Sequence, residues 1–274
     1  MKIYLSTDME GTAGVVDWEQ VTASGPRYEY YCDLLLGEVN AAIEGAMAAG
    51  ATEFLVNDSH SRMANLRLDA LSGSARYLSG RLKPWYMMQG LDDSFDAIFF
   101  ISYHGSMGSN GSNLSHTYFP SAFAEVTLNG QVAGESGINA LVAMAHNVPI
   151  VLITGDDVTA QEMEPFAPGV RAAIVKHSIT RFAANSLHPT EARALIFEQA
   201  RLAVASLDTA SAPALNTPIR LEMKFRTSDY AELATRVSGV TGLHHLTAVI
   251  EGDDPLEVYR TFITVVFLCR GLVE

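Results

Sequence analysis

Residues 97–102 read Ala97-Ile98-Phe99-Phe100-Ile101-Ser102, and Tyr103-His104-Gly105 follows them. An unbroken apolar run that stops at a polar turn spells a strand covered on both faces, because a half-exposed strand would alternate. The same form recurs along the chain. Lys2–Thr7 leads into Asp8-Met9-Glu10-Gly11, Glu53–Asn57 into Asp58-Ser59-His60-Ser61, and Pro149–Thr154 into Gly155-Asp156-Asp157. Helical patterns lie between these runs. Tyr28–Ala49 carries Leu35, Val39, Ala42, Ile43 and Ala46 at helical spacing, with Gly50 placed to end it. Ser136–His146 and Thr190–Ser206 read as helices, the second opened by Pro189. Strands alternating with helices predict an α/β chain, a layered α/β/α fold with a mostly parallel central sheet.

Two features extend this frame. Phe123–Leu128 followed by Asn129-Gly130 reads as one arm of a hairpin, since Asn-Gly suits a type I′ turn. Asp208–Pro218 (DTASAPALNTP) reads as a linker. Beyond it the pattern gives a strand at Arg220–Arg226, a helix at Asp229–Val237, a strand at His245–Glu251 and a helix at Pro255–Leu272. The chain therefore divides into residues 1–207 and a smaller C-terminal βαβα lobe, residues 208–274. No internal repeat or low-complexity tract interrupts it.

Composition removes several classes of function. The 274 residues are 48% hydrophobic and 18% charged, an ordinary globular balance. Asp and Glu total 31 against 18 Lys plus Arg, for a formal charge of −13. The lysines are Lys2, Lys83, Lys176 and Lys224, and no basic run occurs, which argues against nucleic-acid or anionic-membrane partners. Cys32 and Cys269 sit in apolar segments without zinc-knuckle spacing, as buried thiols of a reducing compartment would. The N-terminal apolar run is too short for a signal h-region, and no stretch approaches the ~20 residues of a bilayer span. The expectation is a cytoplasmic protein.

The polar residues gather just after the strands. In open parallel sheets ligands bind at the carboxyl ends of the strands, so Asp8, Glu10, His60 and His104 are expected on one rim. Asp8 and Glu10 stand two apart, which on an extended backbone points both the same way. A further carboxylate, Glu135, lies in Gly134-Glu135-Ser136-Gly137, where a helix starts among small neighbours. Asp, Glu and His are the usual ligands of catalytic zinc. Taken singly, each has a plainer reading: Asp as a cap or Asx turn, His as a hydrogen-bonded boundary residue. No local ligand pattern such as HExxH is present. His116 follows the Gly- and Ser-rich stretch 105–115, which reads as a mobile loop; it lacks the GK[ST] of a P-loop. His177, beside Lys176, is placed near the site. His146, His188, His244 and His245 read as structural, and Asp156 and Asp157 read equally as rim residues or helix caps.

In order, Ser6-Thr7-Asp8-Met9-Glu10-Gly11, Asn57-Asp58-Ser59-His60, Tyr103-His104, Ser115-His116, Gly134-Glu135-Ser136-Gly137-Ile138-Asn139-Ala140 and Gly155-Asp156-Asp157 resemble the zinc-dependent D-aminopeptidases of the M55 peptidase family. The likeness covers about residues 1–205. It implies two zinc ions per chain, with Asp8 as the bridge and Glu10, His60, His104 and Glu135 as the other ligands. It implies a catalytic histidine at His116, short peptide substrates, and a self-compartmentalising homo-oligomer, a decameric ring. On that reading residues 1–207 are the metallopeptidase region. Two zinc ions can activate water and polarise a scissile carbonyl. Rival readings are another metallohydrolase, acting on an amide, lactam or phosphoester, and a non-enzymatic dipeptide-binding protein. A phosphoesterase would favour extra rim cations, for which Arg62 and Lys176 are the candidates. A plain binder needs no paired zinc.

Overall fold

The computed structural model describes residues 1–109 and 111–272. The strands, in chain order, are β1 Lys2–Thr7, β2 Glu53–Asp58, β3 Arg76–Leu78, β4 Ala97–Tyr103, β5 Phe123–Leu128, β6 Gln131–Val132, β7 Ile150–Asp156, β8 Arg171–Thr180, β9 Ala183–Ser186, β10 Ile219–Phe225, β11 Val240–His244 and β12 Thr247–Gly252. The helices are α1 Trp18–Val21, α2 Tyr28–Ala48, α3 Glu135–Ala145, α4 Asp157–Met163, α5 Pro189–Ala205, α6 Ser228–Ala234 and α7 Pro255–Cys269.

The first sheet runs β3-β2-β1-β4-β7-β8-β9 and is parallel throughout except for the edge pair β8–β9. Its inner strands are buried on both faces, as their unbroken apolar runs require. Ile3 and Leu5 point into one core with Val39 and Ile43 of α2 and Ile196 of α5. Tyr4 and Phe100 point into the other, with Ile138 of α3 and Phe262 of α7. Strand order reverses at β1 and β4, so a crevice opens beyond their carboxyl ends.

A second sheet, β11-β12-β10-β5-β6, is antiparallel. Helix α3 packs on β4, α7 on α3, and β10 and β12 on α7. α7 buries Val258, Phe262, Ile263, Val265 and Val266 there, each removal from water being worth roughly 2 kcal/mol. The Asn129-Gly130 hairpin forms as expected, with φ of +47° and +82°, the left-handed pair a type I′ turn demands.

The tail departs from its expected βαβα order, because an extra strand, β11, precedes β12 and makes it ββ after α6. Alternation in Val240–His244 is weak, since only Val240 is buried. His244 closes β11 and His245 lies in the turn. The second sheet also recruits β5 and β6 from before residue 207, so its pairing crosses the 207/208 division.

Candidate metal centre

Each site residue is delivered by an element end. Asp8 and Glu10 follow β1, His60 follows β2, His104 follows β4, and Glu135 opens α3. All are buried, as is His116. Close backbone approach makes this possible. A Cβ on Gly11 would stand 2.0 Å from the Tyr103 carbonyl oxygen, and one on Gly155, whose φ is +149°, 1.8 Å from the same atom. Only glycine lets both chains close on the residue before His104. A register shift at the end of β4, with Ser102 at φ +60°, turns Tyr103 and His104 toward the crevice.

Beneath the rim the polar groups are paired. Glu38 of α2 accepts from the Ala13 amide at 2.8 Å and from Ser102 Oγ at 2.7 Å, tying α2 to the turn after β1 and to the β4 bulge. Tyr103 OH bonds Ser6 Oγ at 2.7 Å and accepts from Asn139 Nδ2 at 3.0 Å. Asn139 Oδ1 accepts from Tyr118 OH at 2.7 Å. Lys176 Nζ, fully buried, donates to the carbonyls of Glu10 and Val15 (2.7 Å to the latter) and to Asn113 Oδ1 at 2.8 Å.

The histidines share one arrangement. His60 Nε2 meets the Val21 carbonyl at 2.7 Å, His104 Nδ1 the Gly105 carbonyl at 2.9 Å, and His116 Nδ1 the Leu114 carbonyl at 3.0 Å. A carbonyl only accepts, so those nitrogens carry the protons. The opposite nitrogen of each neutral ring is then a lone pair, and each lone pair faces a carboxylate. His60 Nδ1 lies 2.9 Å from Glu10 Oε2 and 3.2 Å from Asp8 Oδ1. His104 Nε2 lies 3.2 Å from Asp8 Oδ2 and 3.9 Å from Glu135 Oε1, and His116 Nε2 lies 3.6 Å from Glu135 Oε1. Acceptors facing acceptors call for a cation between them. Asp8 Oδ2, Glu10 Oε2 and His104 Nε2 are buried without a hydrogen-bond partner, the mark of a ligand set. Two groups of ligand atoms close enough to share an ion are Asp8–Glu10–His104 and His104–His116–Glu135.

Without a cation the same crowding is answered by protons. Burial pushes His104 down, but the Asp8 bond and the charges of Glu135, Asp8 and Glu10 outweigh it and raise the ring to about 10. His60 is raised in the same way by Glu10 and Asp8, against burial. Burial and the Asp8 charge push Glu135 up to about 8. His116 differs: burial and the neighbouring His104 push it down to about 4, so its ring is neutral.

The Gly- and Ser-rich segment before His116 is hydrogen-bonded to its surroundings: Ser106 bonds Glu162 at 2.7 Å, Ser112 bonds Asp156 at 2.7 Å, and the Asn113 amide donates to Ser178 Oγ at 2.9 Å. Ser106 finds its partner on α4, Ser112 on β7, and the Asn113 backbone on β8; Asn110 lies outside the described residues. His116 is already seated, stacked on His104 with ring centroids 4.2 Å apart and edge-on to Trp18 at 5.4 Å. His177 is not at the site. Its side chain is 65% exposed beside Asp157, because a register shift in β8 turns Lys176 inward instead. Arg62 is exposed. Asp156 caps α4 by accepting from Thr159, and His188 caps α5.

Residues the motifs did not announce complete the crevice. Trp18, Tyr86, Tyr118, Arg81 and Arg270 line a cavity of about 420 Å³ together with Asp8, Glu10, His60, His116 and Glu135. Tyr118 lies two residues beyond His116 and Trp18 follows Asp17, the cap of α1; for Tyr86, Arg81 and Arg270 the motifs gave no signal.

A family model, Peptidase_M55: D-aminopeptidase, matches residues 1–264. The D-aminopeptidase of Bacillus subtilis (strain 168) is 35% identical over 266 residues, 96% of each chain. The solved structure of the Zn-dependent D-aminopeptidase DppA from Bacillus subtilis, a self-compartmentalizing protease, superposes with a TM-score of 0.94 at 33% identity over 98% of either chain. With motif order, ligand geometry and fold in agreement, this chain belongs to the M55 family of D-aminopeptidases, which are peptide hydrolases.

Proposed function

We propose that the chain is a binuclear zinc aminopeptidase that releases N-terminal D-amino acids from short peptides or amides. The observation that carries this reading is the convergence of three histidine lone pairs on three buried carboxylates in a chain of this family. Asp8 would bridge two ions, since its two oxygens face two different histidines, and Glu10, His60, His104 and Glu135 would hold them with it. When bound, zinc supplies carbonyl polarisation and a water acidified toward neutral pH.

His116 is the remaining acid–base group. Its Nδ1–H is committed to the Leu114 carbonyl, so Nε2 presents a lone pair to the cavity. The neutral ring cannot donate to an oxyanion from that atom. It takes up a proton at Nε2 and returns it to the departing amine. Stacking on His104 and the edge of Trp18 hold the ring in position. The substrate's free amine lies among the carboxylates, which selects for cleavage at the N-terminus.

The same reading makes the protein a ring-shaped homo-oligomer, a decamer, on the pattern of the self-compartmentalizing relative. Ile179 and Phe182, exposed at the β8–β9 turn, are apolar surface that such an assembly would cover. Cys32 and Cys269 are free thiols, which suits a cytoplasmic setting. No described helix is long and apolar enough to cross a membrane. The test is zinc analysis combined with a panel of D- and L-aminoacyl amides and dipeptides, on protein whose mass is measured by light scattering. Two zinc ions and cleavage of the D-series support the reading. Zinc-loaded protein inert toward the whole panel would end it.

A further inference from the structure

Two arginines line the cavity beside the acids, Arg81, which is exposed, and Arg270, which is half-buried. Arg270 caps α7 and lines the same cavity as Asp8, Glu10, His116 and Glu135. Its Nη2 donates to Tyr86 OH at 2.6 Å and to the Tyr118 carbonyl at 3.1 Å, and the guanidinium lies 5.4 Å from the Tyr86 ring centroid. Both bonds use one nitrogen. Among the described residues, Nη1 and Nε have no hydrogen-bond partner and no carboxylate pairs with the group. A half-buried guanidinium with unsatisfied N–H donors on Nη1 and Nε carries a positive charge that a carboxylate would meet through a charge-assisted hydrogen bond. Elsewhere in this acidic chain, the half-exposed Arg201 and Arg220 have carboxylate partners.

Its distance from the chemistry is fixed by one residue. The Tyr118 amide donates to Glu135 Oε1 at 2.7 Å while the Tyr118 carbonyl accepts from Arg270. The guanidinium therefore stands at most about 10 Å from the Glu135 carboxylate, given a residue length of about 3.5 Å. A peptide with one or two residues beyond the scissile bond spans that gap with its terminal carboxylate. A longer chain overshoots it.

We propose that Arg270 is the anchor for the free C-terminal carboxylate of the substrate, so that the cavity reads both ends of a short peptide: the amine among the acids, the carboxylate at the guanidinium. This rests on the aminopeptidase reading and narrows its substrate class to short peptides with an unblocked C-terminus. Tyr86 and Tyr118 hold Nη2 and leave the donors of Nη1 and Nε to the ligand.

The test compares D-alanyl-glycine with D-alanyl-glycinamide on the zinc-loaded enzyme. The two differ only in the charge at the end Arg270 would bind. The wild type should favour the free acid. Arg270→Met should lose about 10- to 100-fold in kcat/KM on the acid, carried by KM, and much less on the amide. Arg270→Lys should keep part of the acid preference, because it keeps the charge but loses the bonds that hold the guanidinium on Tyr86 and Tyr118. The ratio of the two substrates on one preparation is independent of how much protein is folded. Equal wild-type rates on acid and amide would overturn the anchor, as would an equal loss on both in Arg270→Met, which would reduce Arg270 to a support for Tyr86 and Tyr118. Those outcomes leave the aminopeptidase standing, whereas a wild type that cleaves neither substrate overturns the enzyme reading and the anchor together.

Discussion

Oδ2 of Asp8 and Nε2 of His104 face each other across 3.2 Å, both buried and neither hydrogen-bonded. His104 spends its N–H on the Gly105 carbonyl, so the two atoms are acceptors that only a shared cation, or a proton taken up by the ring, can reconcile. Buried groups under such constraint govern the metal content, the turnover and the pH response of the molecule.

Asp8→Ala should lose both zinc ions, because the bridging oxygens contact the histidines of both sides. Glu10→Ala should mainly weaken one, since the histidine nitrogen nearest to Glu10 is His60 Nδ1, at 2.9 Å. Elemental analysis after dialysis reads this directly, and full occupancy in Asp8→Ala would exclude the bridge.

His116→Ala should retain fold and zinc while kcat falls by about 10²- to 10⁴-fold, the usual contribution of a positioned acid or base. Turnover and metal content are measured on one preparation. Wild-type turnover would remove His116 from the mechanism. Lost zinc would make it a ligand, which its proximity to His104 and Glu135 allows.

Glu38 predicts a pH dependence of stability. Burial pushes its carboxyl from 4.5 up to about 7, against the Ala13 and Ser102 hydrogen bonds and the Lys176 charge. Folded protein therefore holds this proton more tightly than unfolded protein does. The stabilisation is complete below the unfolded pKa and is lost as pH rises through about 7. Glu38→Gln removes the titration, so urea melts should show the variant gaining on the wild type between pH 5 and pH 7.5, by roughly 2 kcal/mol. Parallel curves would mean that Glu38 is ionised throughout.

Lys176→Met should cost more stability than its apolar volume suggests. Removing the ammonium strands the carbonyls of Glu10 and Val15 and the amide oxygen of Asn113. Unsatisfied buried acceptors cost about 1–3 kcal/mol each, so a loss of roughly 3 kcal/mol or more is expected, a fall in Tm of about 6–12 °C. A melting temperature within about 2 °C of wild type would show that burial of the charge had offset its hydrogen bonds.

Sequence by itself determined the central sheet and the acidic and histidine side chains that gather at its rim. Unbroken apolar runs such as Ala97–Ile101 admit few alternatives to strands covered on both faces, and a parallel strand order brings the turns after β1, β2 and β4 to one rim. Asp8, Glu10, His60 and His104 were legible because each directly follows a strand, and Glu135 because it opens a helix. Only the tertiary structure decided the rest. Ser106, Ser112 and Asn113 find their hydrogen-bond partners in Glu162, Asp156 and Ser178, up to 65 positions away. Whether β8 turns Lys176 or His177 inward is set by a one-residue register shift against β7, which local alternation cannot encode. Arg270, at the far end of the chain, reaches the crevice because α7 packs on α3 and the second sheet draws β5 and β6 to the tail. Local periodicity records which face of an element is buried; which distant atoms meet that face is fixed by packing alone.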